Sequence, residues 1–174
     1  LRQPCIVAAS IDLGEIEGTI YLAAPLTVDQ LHVHLASHIT EKDVVRWDAQ
    51  QQIVVARREQ RFGALVLDDK PLTDVDPEKI RTAILDGLRR IGLNALPWTK
   101  EAREWQLRVL SLRVWCPEDD WPDVSDTMLL STLADWLGPY LDGVTRRSHL
   151  ARIDVLAALS SQFDWSKSQR LEEG

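Results

Sequence analysis

The spacing of the apolar residues changes near residue 72, and this change constrains the fold more than any other feature of the chain. Before it, apolar residues form short runs between turn-forming residues, for example over 5–11 and 19–23, which predicts strands. After it, apolar residues recur every three to four positions, which predicts amphipathic helices. Strands followed by helices are typical of the α+β class. We therefore predict a small antiparallel β-domain over residues 1–72 and an all-α helical domain over residues 73–174.

One helix is predicted inside the β-domain. Thr27 and Gln30 have the spacing of a capping box, in which the Thr27 hydroxyl accepts from the Gln30 amide and the Gln30 side chain reaches back. Apolar residues then follow at positions 31, 35 and 39, so we expect an amphipathic helix over 28–38. Three further strands are predicted after it, over 43–48, 53–59 and 63–67, with 49–52 as the loop between the first two.

About four helices are predicted in the second domain. Three of them are expected to start after a side chain that accepts from the free backbone N–H groups of the first turn. These capping residues are Asp76, Ser125 and Ser148, while the second helix is expected to start near Thr99. The helices are expected to end near residues 91, 114, 137 and 162. Trp105 and Trp136 fall on apolar helix faces and Trp115 lies at the end of one, which predicts core positions for all three.

Composition and motifs argue against catalysis by this chain alone. The formal net charge is −7, and no apolar run is long enough to span a bilayer. The two cysteines lie far apart in sequence, which favours a reducing, cytoplasmic setting over a disulfide framework. The chain contains no phosphate-binding loop, dinucleotide fingerprint, nucleophile elbow or zinc-protease motif. We therefore expect no ATPase activity and no cofactor in this chain.

Two groups of residues have some character of a metal site. His34 and His38 are spaced i, i+4 on the predicted helix, but His32 points to another face, so solvated histidines are the favoured interpretation. The acidic segment 118–123 lacks the spacing of a calcium loop and is predicted to be a solvated connector. Neither group predicts a metal site.

A basic cluster in this acidic chain is the candidate nucleic-acid site. Three arginines within five positions offer planar, multi-donor groups that suit phosphate. A tryptophan beside the cluster is either a base-stacking platform or a buried residue, and we keep both interpretations. The arginines have an alternative too, since charged residues protect edge strands and nearby carboxylates can neutralise them. The candidate residues are Arg46, Trp47, Arg57, Arg58 and Arg61, and the nearby carboxylates are Asp48, Glu59, Asp68 and Asp69.

Short motifs spread over essentially all 174 residues resemble, in their order, one family. They are IYLAAPL (20–26), VRWD (45–48), VVARR (54–58), FGALVL (62–67), LPW (96–98), WPDVSD (121–126), LADWL (133–137) and LARID (150–154). In this order they resemble the region that follows the motor in bacterial HrpB-type DEAH-box ATP-dependent RNA helicases. These motifs are structural, so none of the family's catalytic residues is transferred to this chain.

The resemblance implies a longer parent protein, with motor domains that bind ATP and Mg²⁺ before residue 1 and a further segment after residue 174. It implies that this chain is an accessory region whose partners are the parent's motor and ratchet domains and single-stranded RNA. The alternative is a structural or protein-interaction module without nucleic-acid contact. It also implies that residues 5–68 match a small barrel of OB type. Because the predicted helix lies between the second and third strands, a different small β-structure is the alternative.

Overall fold

A computed structural model describes residues 5–13, 18–163, 167 and 171. The chain divides into two compact units, one of Leu1–Val44 with Arg57–Leu72 and the other of Val45–Ala56 with Thr73–Gly174. The sequence predicts one boundary, after residue 72, whereas in the structure residues 45–56 belong to the same unit as the helices. None of the described helices combines the length and the apolar character needed to cross a membrane.

The first unit begins with an antiparallel hairpin. Strand β1, Cys5–Leu13, pairs with strand β2, Gly18–Leu26, in a register that runs from Cys5 opposite Leu26 to Leu13 opposite Gly18. Strand β1 continues through Asp12 and Leu13, where the sequence predicts the start of a turn over residues 12–15, and residues 14–17 lie outside the described part of the chain.

The predicted capping box is confirmed at helix α1, Val28–His34. The Gln30 amide donates to Thr27 Oγ1 at 3.2 Å, and the Thr27 amide donates to Gln30 Oε1 at 2.9 Å. The helix is shorter than the predicted span of 28–38, because a separate 3-10 turn covers Ala36–His38. Leu31 is the buried residue of α1, and the third apolar position of the predicted stripe, Ile39, already belongs to the next strand.

Three more strands form a second antiparallel sheet. Strands β3, Ile39–Asp48, β4, Ile53–Phe62, and β5, Leu65–Pro71, pair in the order β3-β4-β5. The β4–β5 register has an irregularity between Gln60 and Arg61. The described strands form two separate sheets rather than one five-stranded sheet, so the OB-type interpretation is not confirmed. The predicted α+β class is confirmed.

The second unit contains five α-helices within the described residues. They are α2, Pro77–Ile91, α3, Lys100–Trp115, α4, Asp126–Ser131, α5, Leu133–Trp136, and α6, Val155–Ser160. The predicted caps Asp76 and Ser125 are confirmed, since each side chain accepts from an amide of its first turn. Thr99, near the predicted start of the second helix, also caps α3 by accepting from the Ala102 amide. The predicted third helix is broken at Thr132 into α4 and α5.

The predicted fourth helix is wrong at its start. Ser148 lies within a 3-10 turn over Arg147–Arg152 and caps no α-helix. Helix α6 begins at Val155, where Asp154 Oδ1 accepts from the Ala157 amide at 2.9 Å. Asp and Ser are comparable N-cap residues, so the sequence around them did not decide between the two starts.

The helices enclose a core in which Trp136 is almost completely buried, with its Nε1 donating to the Leu129 carbonyl at 2.9 Å. The core prediction for Trp115 is wrong, because its side chain is 75% exposed. At about 100° per residue, a step of three residues moves a side chain about 60° around the helix. The two steps from Val109 to Leu112 and from Leu112 to Trp115 therefore place Trp115 about 120° from the buried stripe of α3. Trp115 therefore shares the far side of α3 with the exposed residues Leu107 and Val114.

Residues 45–56, which form the tip of the β3–β4 hairpin, are held in this unit by packing and by backbone hydrogen bonds. Trp47 is buried at 5% exposure and packs directly over Gly87 of α2. The Val54 amide donates to the Thr145 carbonyl at 2.7 Å, and the Arg147 amide donates to the Gln52 carbonyl at 2.9 Å. This segment therefore extends the helical unit by a short stretch of paired backbone.

Candidate nucleic-acid interface

Arg57, Arg58 and Arg61 lie together on β4, and each forms an ion pair with a carboxylate. Arg58 donates from Nε and an Nη to the two oxygens of Asp43 on β3, at 2.7 and 3.0 Å. Arg57 pairs with Asp69 on β5, and Arg61 pairs with Glu59 at 2.6 Å. Successive strand residues point to opposite faces of a sheet, so Arg57 and Arg58 do not combine into one basic patch.

The charges around Arg58 do not sum to a basic surface. A shallow cavity of about 260 Å³ is lined by Arg58, Gln60, Lys70, Glu41 and Asp68, and Asp43 holds the Arg58 guanidinium. Two cations thus face three carboxylates. A phosphate approaching this face meets carboxylates as well as arginine, which weakens any electrostatic attraction.

The ion pair with Asp43 also stabilises the charge of Arg58. The hydrogen bond that Arg58 donates to Asp43, and then the negative charge of Asp43, raise the pKa of Arg58 above its ordinary value. The Arg58 side chain is still 51% exposed and that of Arg57 47% exposed, so solvent screens both pairs. A phosphate group would have to displace carboxylates that already occupy these guanidinium groups.

The other two candidate residues, Arg46 and Trp47, belong to the second unit. The stacking interpretation of Trp47 is not supported, because its ring is buried against α2 and has no face open to a base. Arg46 is exposed, and no carboxylate of the described residues lies within 4.0 Å of its guanidinium. The structure thus gathers three of the five candidates in one unit, and all three are neutralised there.

Sequence reasoning missed a second pair of arginines, Arg146 and Arg147. Both are exposed, and within the described ranges neither has a carboxylate partner within 4.0 Å. The signal in the sequence was the run GVTRRSHLARI over 143–153, which contains three arginines and no acidic residue.

His34 and His38, whose i, i+4 spacing can suit a metal site, do not share one helix. His34 ends α1, whereas His38 lies in the following 3-10 turn, 3.2 Å from the Ser37 hydroxyl. The His38 ring is tilted against that of Phe62, with their centroids 6.3 Å apart. Elsewhere in the described chain, ligand atoms of Cys116, Glu118 and Asp119 lie within 4.8 Å of one another. Exposed acidic groups commonly come together without an ion, so this cluster alone does not indicate a metal site.

Comparison with protein families shows a match to a family model described as "ATP-dependent RNA helicase HrpB, connector region" over residues 38–72. These residues run from the end of the 3-10 turn after α1 to the end of β5, so the match covers the strands that carry Arg46, Arg57, Arg58 and Arg61.

Known proteins extend the similarity to nearly the whole chain. The ATP-dependent RNA helicase HrpB of Escherichia coli (strain K12) is 35% identical over 156 residues, which cover 90% of this chain and 19% of that protein. A crystal structure of the E. coli DExH-box NTPase HrpB aligns with a TM-score of 0.58 at 34% identity, covering 96% of this chain and 21% of that one. A crystal structure of the Escherichia coli DEAH/RHA helicase HrpB aligns with a TM-score of 0.57 at 32% identity and the same coverage. The chain thus spans about a fifth of the length of these relatives.

Proposed function

The chain belongs to the HrpB-type helicases as one region of such a protein, and on this premise we propose that it is an accessory region that packs on the motor of an ATP-dependent RNA helicase. ATP and Mg²⁺ bind in the motor domains of the parent protein and not in this chain. The ion pairs of Arg57, Arg58 and Arg61 support a packing role over direct contact with nucleic acid.

The observation that carries this proposal is the exposed apolar surface of the β1–β2 hairpin. Six of its large apolar side chains are between 45% and 69% exposed, and they lie on both faces of the hairpin because neighbours such as Ile6 and Val7 point to opposite faces. A two-stranded hairpin is marginally stable in water, and exposed apolar patches of this kind mark interaction surfaces. The exposed residues are Ile6, Val7, Ile11, Ile20, Tyr21 and Leu22.

The occupant we propose for this surface is the rest of the same polypeptide. The relatives are about five times as long as this chain, so most of the parent protein is available to cover the hairpin. An intramolecular contact also needs no second molecule, which keeps the entropic cost of burying the hairpin low.

The test places a charge on the hairpin of the intact helicase. We expect Tyr21→Lys to lower the melting temperature and the RNA-stimulated ATP hydrolysis rate, because a charge would enter an apolar contact. The control Thr73→Lys adds the same charge at an exposed position between β5 and α2 and is expected to change neither. If Tyr21→Lys leaves both measurements unchanged, the hairpin faces water in the parent and the packing proposal is wrong.

A second candidate function is contact with single-stranded RNA through the predicted basic strand. The observation that favours it is the exposure of Arg46, which has no carboxylate within 4.0 Å among the described residues, together with the half-exposed guanidinium groups of Arg57 and Arg58. If this contact exists, Arg57→Ala/Arg58→Ala in the intact helicase weakens RNA binding and flattens its salt dependence. An unchanged affinity and salt slope would remove this candidate and leave the packing function untouched.

A further inference from the structure

We propose that a groove in the second unit, built around Arg146 and Arg147, binds the phosphodiester backbone of single-stranded RNA. The groove has a volume of about 630 Å³. It is lined by Gln51, Gln52, Ile53, Ala95, Leu96, Pro97, Arg146, Arg147, Ser148 and Ala151. This inference rests on the proposed function in one respect only: the parent protein is taken to be an RNA helicase, so RNA is the polyanion that reaches the groove.

The charge of this groove distinguishes it from the basic strand. Two arginines line it, and its lining contains no acidic residue. The Arg147 Nη1 donates to Gln52 Oε1 at 3.0 Å, a neutral partner that leaves its positive charge uncompensated. On β4, by contrast, Arg57, Arg58 and Arg61 are each held by a carboxylate. In a chain of net charge −7, both arginines of this groove keep a positive charge that no carboxylate of its lining offsets.

The backbone around the arginines is fixed before any ligand arrives. Arg146 forms an antiparallel bridge with Ile53, and the hydrogen bonds from Val54 to Thr145 and from Arg147 to Gln52 hold the segment on either side of it. The segment then continues into the 3-10 turn over Arg147–Arg152. Because the segment is already ordered, binding costs little backbone entropy and the arginines need only adjust their side chains.

The polar lining fits phosphate oxygens better than bases. Arginine guanidinium groups, the amides of Gln51 and Gln52 and the Ser148 hydroxyl are all donors that phosphate oxygens accept from. No aromatic side chain lines the groove, so it offers no platform on which a base can stack. These features favour a contact with the backbone of RNA that does not depend on base sequence.

The experiment measures binding of fluorescein-labelled oligouridylate by the intact helicase, using anisotropy over a range of salt concentrations. We expect Arg146→Ala/Arg147→Ala to weaken binding by several-fold and to reduce the slope of log affinity against log salt by about 1.4, that is about 0.7 for each lost phosphate contact on a single strand. We expect Arg146→Lys/Arg147→Lys to keep most of the slope, because the charges remain.

The matched control is Arg89→Ala/Arg90→Ala, which removes the same charge from an adjacent, exposed arginine pair on α2, where Arg89 is paired with Asp86. It is expected to leave the slope unchanged. The single variant Arg146→Ala serves if the double variant misfolds, because it keeps the Arg147–Gln52 hydrogen bonds. It is expected to reduce the slope by about 0.7.

Two results would overturn the proposal. One is a salt slope that is the same in the groove variants and the unmodified helicase. The other is an unchanged slope with a lower melting temperature for Arg146→Glu, which would mean that an acidic segment of protein occupies the groove. Tyr21→Lys tests the packing function separately, so failure of the groove and failure of the packing proposal give different results.

Discussion

Gly87 lies so close to Trp47 that a methyl group does not fit between them. A Cβ built on Gly87 would stand 2.5 Å from Cδ2 of the indole, well inside van der Waals contact. Alanine improves helix propensity by about 1 kcal/mol, but overpacking a core typically costs about 1–3 kcal/mol. Because a rigid ring rather than a flexible chain end is in the way, we expect Gly87→Ala to lower the free energy of unfolding of the 174-residue chain by about 1–2 kcal/mol.

The measurement is urea unfolding followed by tryptophan fluorescence, with Gly138→Ala as the control. A Cβ on Gly138 would meet Arg81 Cδ at 3.8 Å, which is an ordinary contact. The control is therefore expected to unfold within about 0.5 kcal/mol of the original chain, because the added methyl group clashes with nothing although Gly138 is buried. A Gly87→Ala variant as stable as the original would show that Trp47 does not pack on α2 as described.

Asp126 makes stability depend on pH in the acid range. Its carboxylate accepts from Gln106 Nε2 at 2.9 Å and from Arg103 at 3.0 Å, and these contacts, with the Gln106 hydrogen bond first, lower its pKa below the ordinary 3.8. As the pH falls, the unfolded chain takes up this proton first. The contribution of Asp126 is therefore fully present above about pH 4 and is lost as the pH falls through its lowered folded-state pKa.

We expect Asp126→Asn to reduce the free energy of unfolding by ~0.5 kcal/mol at pH 7, since the side chain is more than half exposed and solvent screens the pair. The difference from the original chain should shrink on going to pH 3. This difference is measured from the urea midpoints of both chains at the two pH values. The control is Asp74→Asn, which removes an exposed carboxylate that has no ion-pair partner in the described chain. A difference that persists at pH 3 would contradict this account of Asp126.

Among individual residues, those whose contacts are local could be predicted from sequence. The caps at Thr27, Asp76 and Ser125 depend on atoms two or three residues away, and the structure has them as predicted. For the arginines, the nearby Glu59 and Asp69 were expected to neutralise charge and do so. Asp43 was not expected to do so, because it faces Arg58 from a neighbouring strand and this pairing depends on strand register.

At the scale of elements, two tryptophans of the helical unit are expected to respond in opposite ways. Trp136 on α5 is almost completely buried and donates to the Leu129 carbonyl, whereas Trp115 at the end of α3 is exposed. We expect Trp136→Ala to cost about 3–5 kcal/mol, as large core truncations do. Trp115→Ala should change the stability of the 174-residue chain by less than about 0.5 kcal/mol, as substitutions on the surface usually do. Thermal unfolding of both variants measures this, and equal losses would contradict the two assignments.

The helices themselves could be predicted from the period of their apolar residues, but their breaks and partners could not. The interruption at Thr132 divides one apolar stripe into α4 and α5 without a glycine or proline to mark it. Residues 45–56 read as part of the β-domain, yet Val54 and Gln52 hydrogen-bond to Thr145 and Arg147 of the helical unit. Because this pairing joins segments far apart in sequence, no local pattern signals it. The sequence therefore did not predict that residues 45–56 belong to the second unit.

At the scale of the whole molecule, charge distribution matters more than net charge. Twenty-seven acidic residues against twenty basic ones give the chain a net charge of −7, which repels RNA at long range. Most arginines with described contacts are compensated by carboxylates, while Arg146 and Arg147 face a groove without acidic residues. With the groove that we propose, the chain combines long-range repulsion with a local site for phosphate, which would suit RNA already held by another part of the parent.

This arrangement predicts how the 174-residue chain behaves without the rest of the helicase. We expect it to bind a single-stranded RNA of about 20 nucleotides with a Kd no tighter than about 10⁻⁴ M at physiological salt, the weak end of non-specific binding, because few contacts oppose the net negative charge. Fluorescence anisotropy against labelled oligouridylate measures it, with the intact helicase as the positive control. Binding in the micromolar range or tighter by the isolated chain would mean that its surface presents far more positive charge to RNA than Arg146 and Arg147 supply.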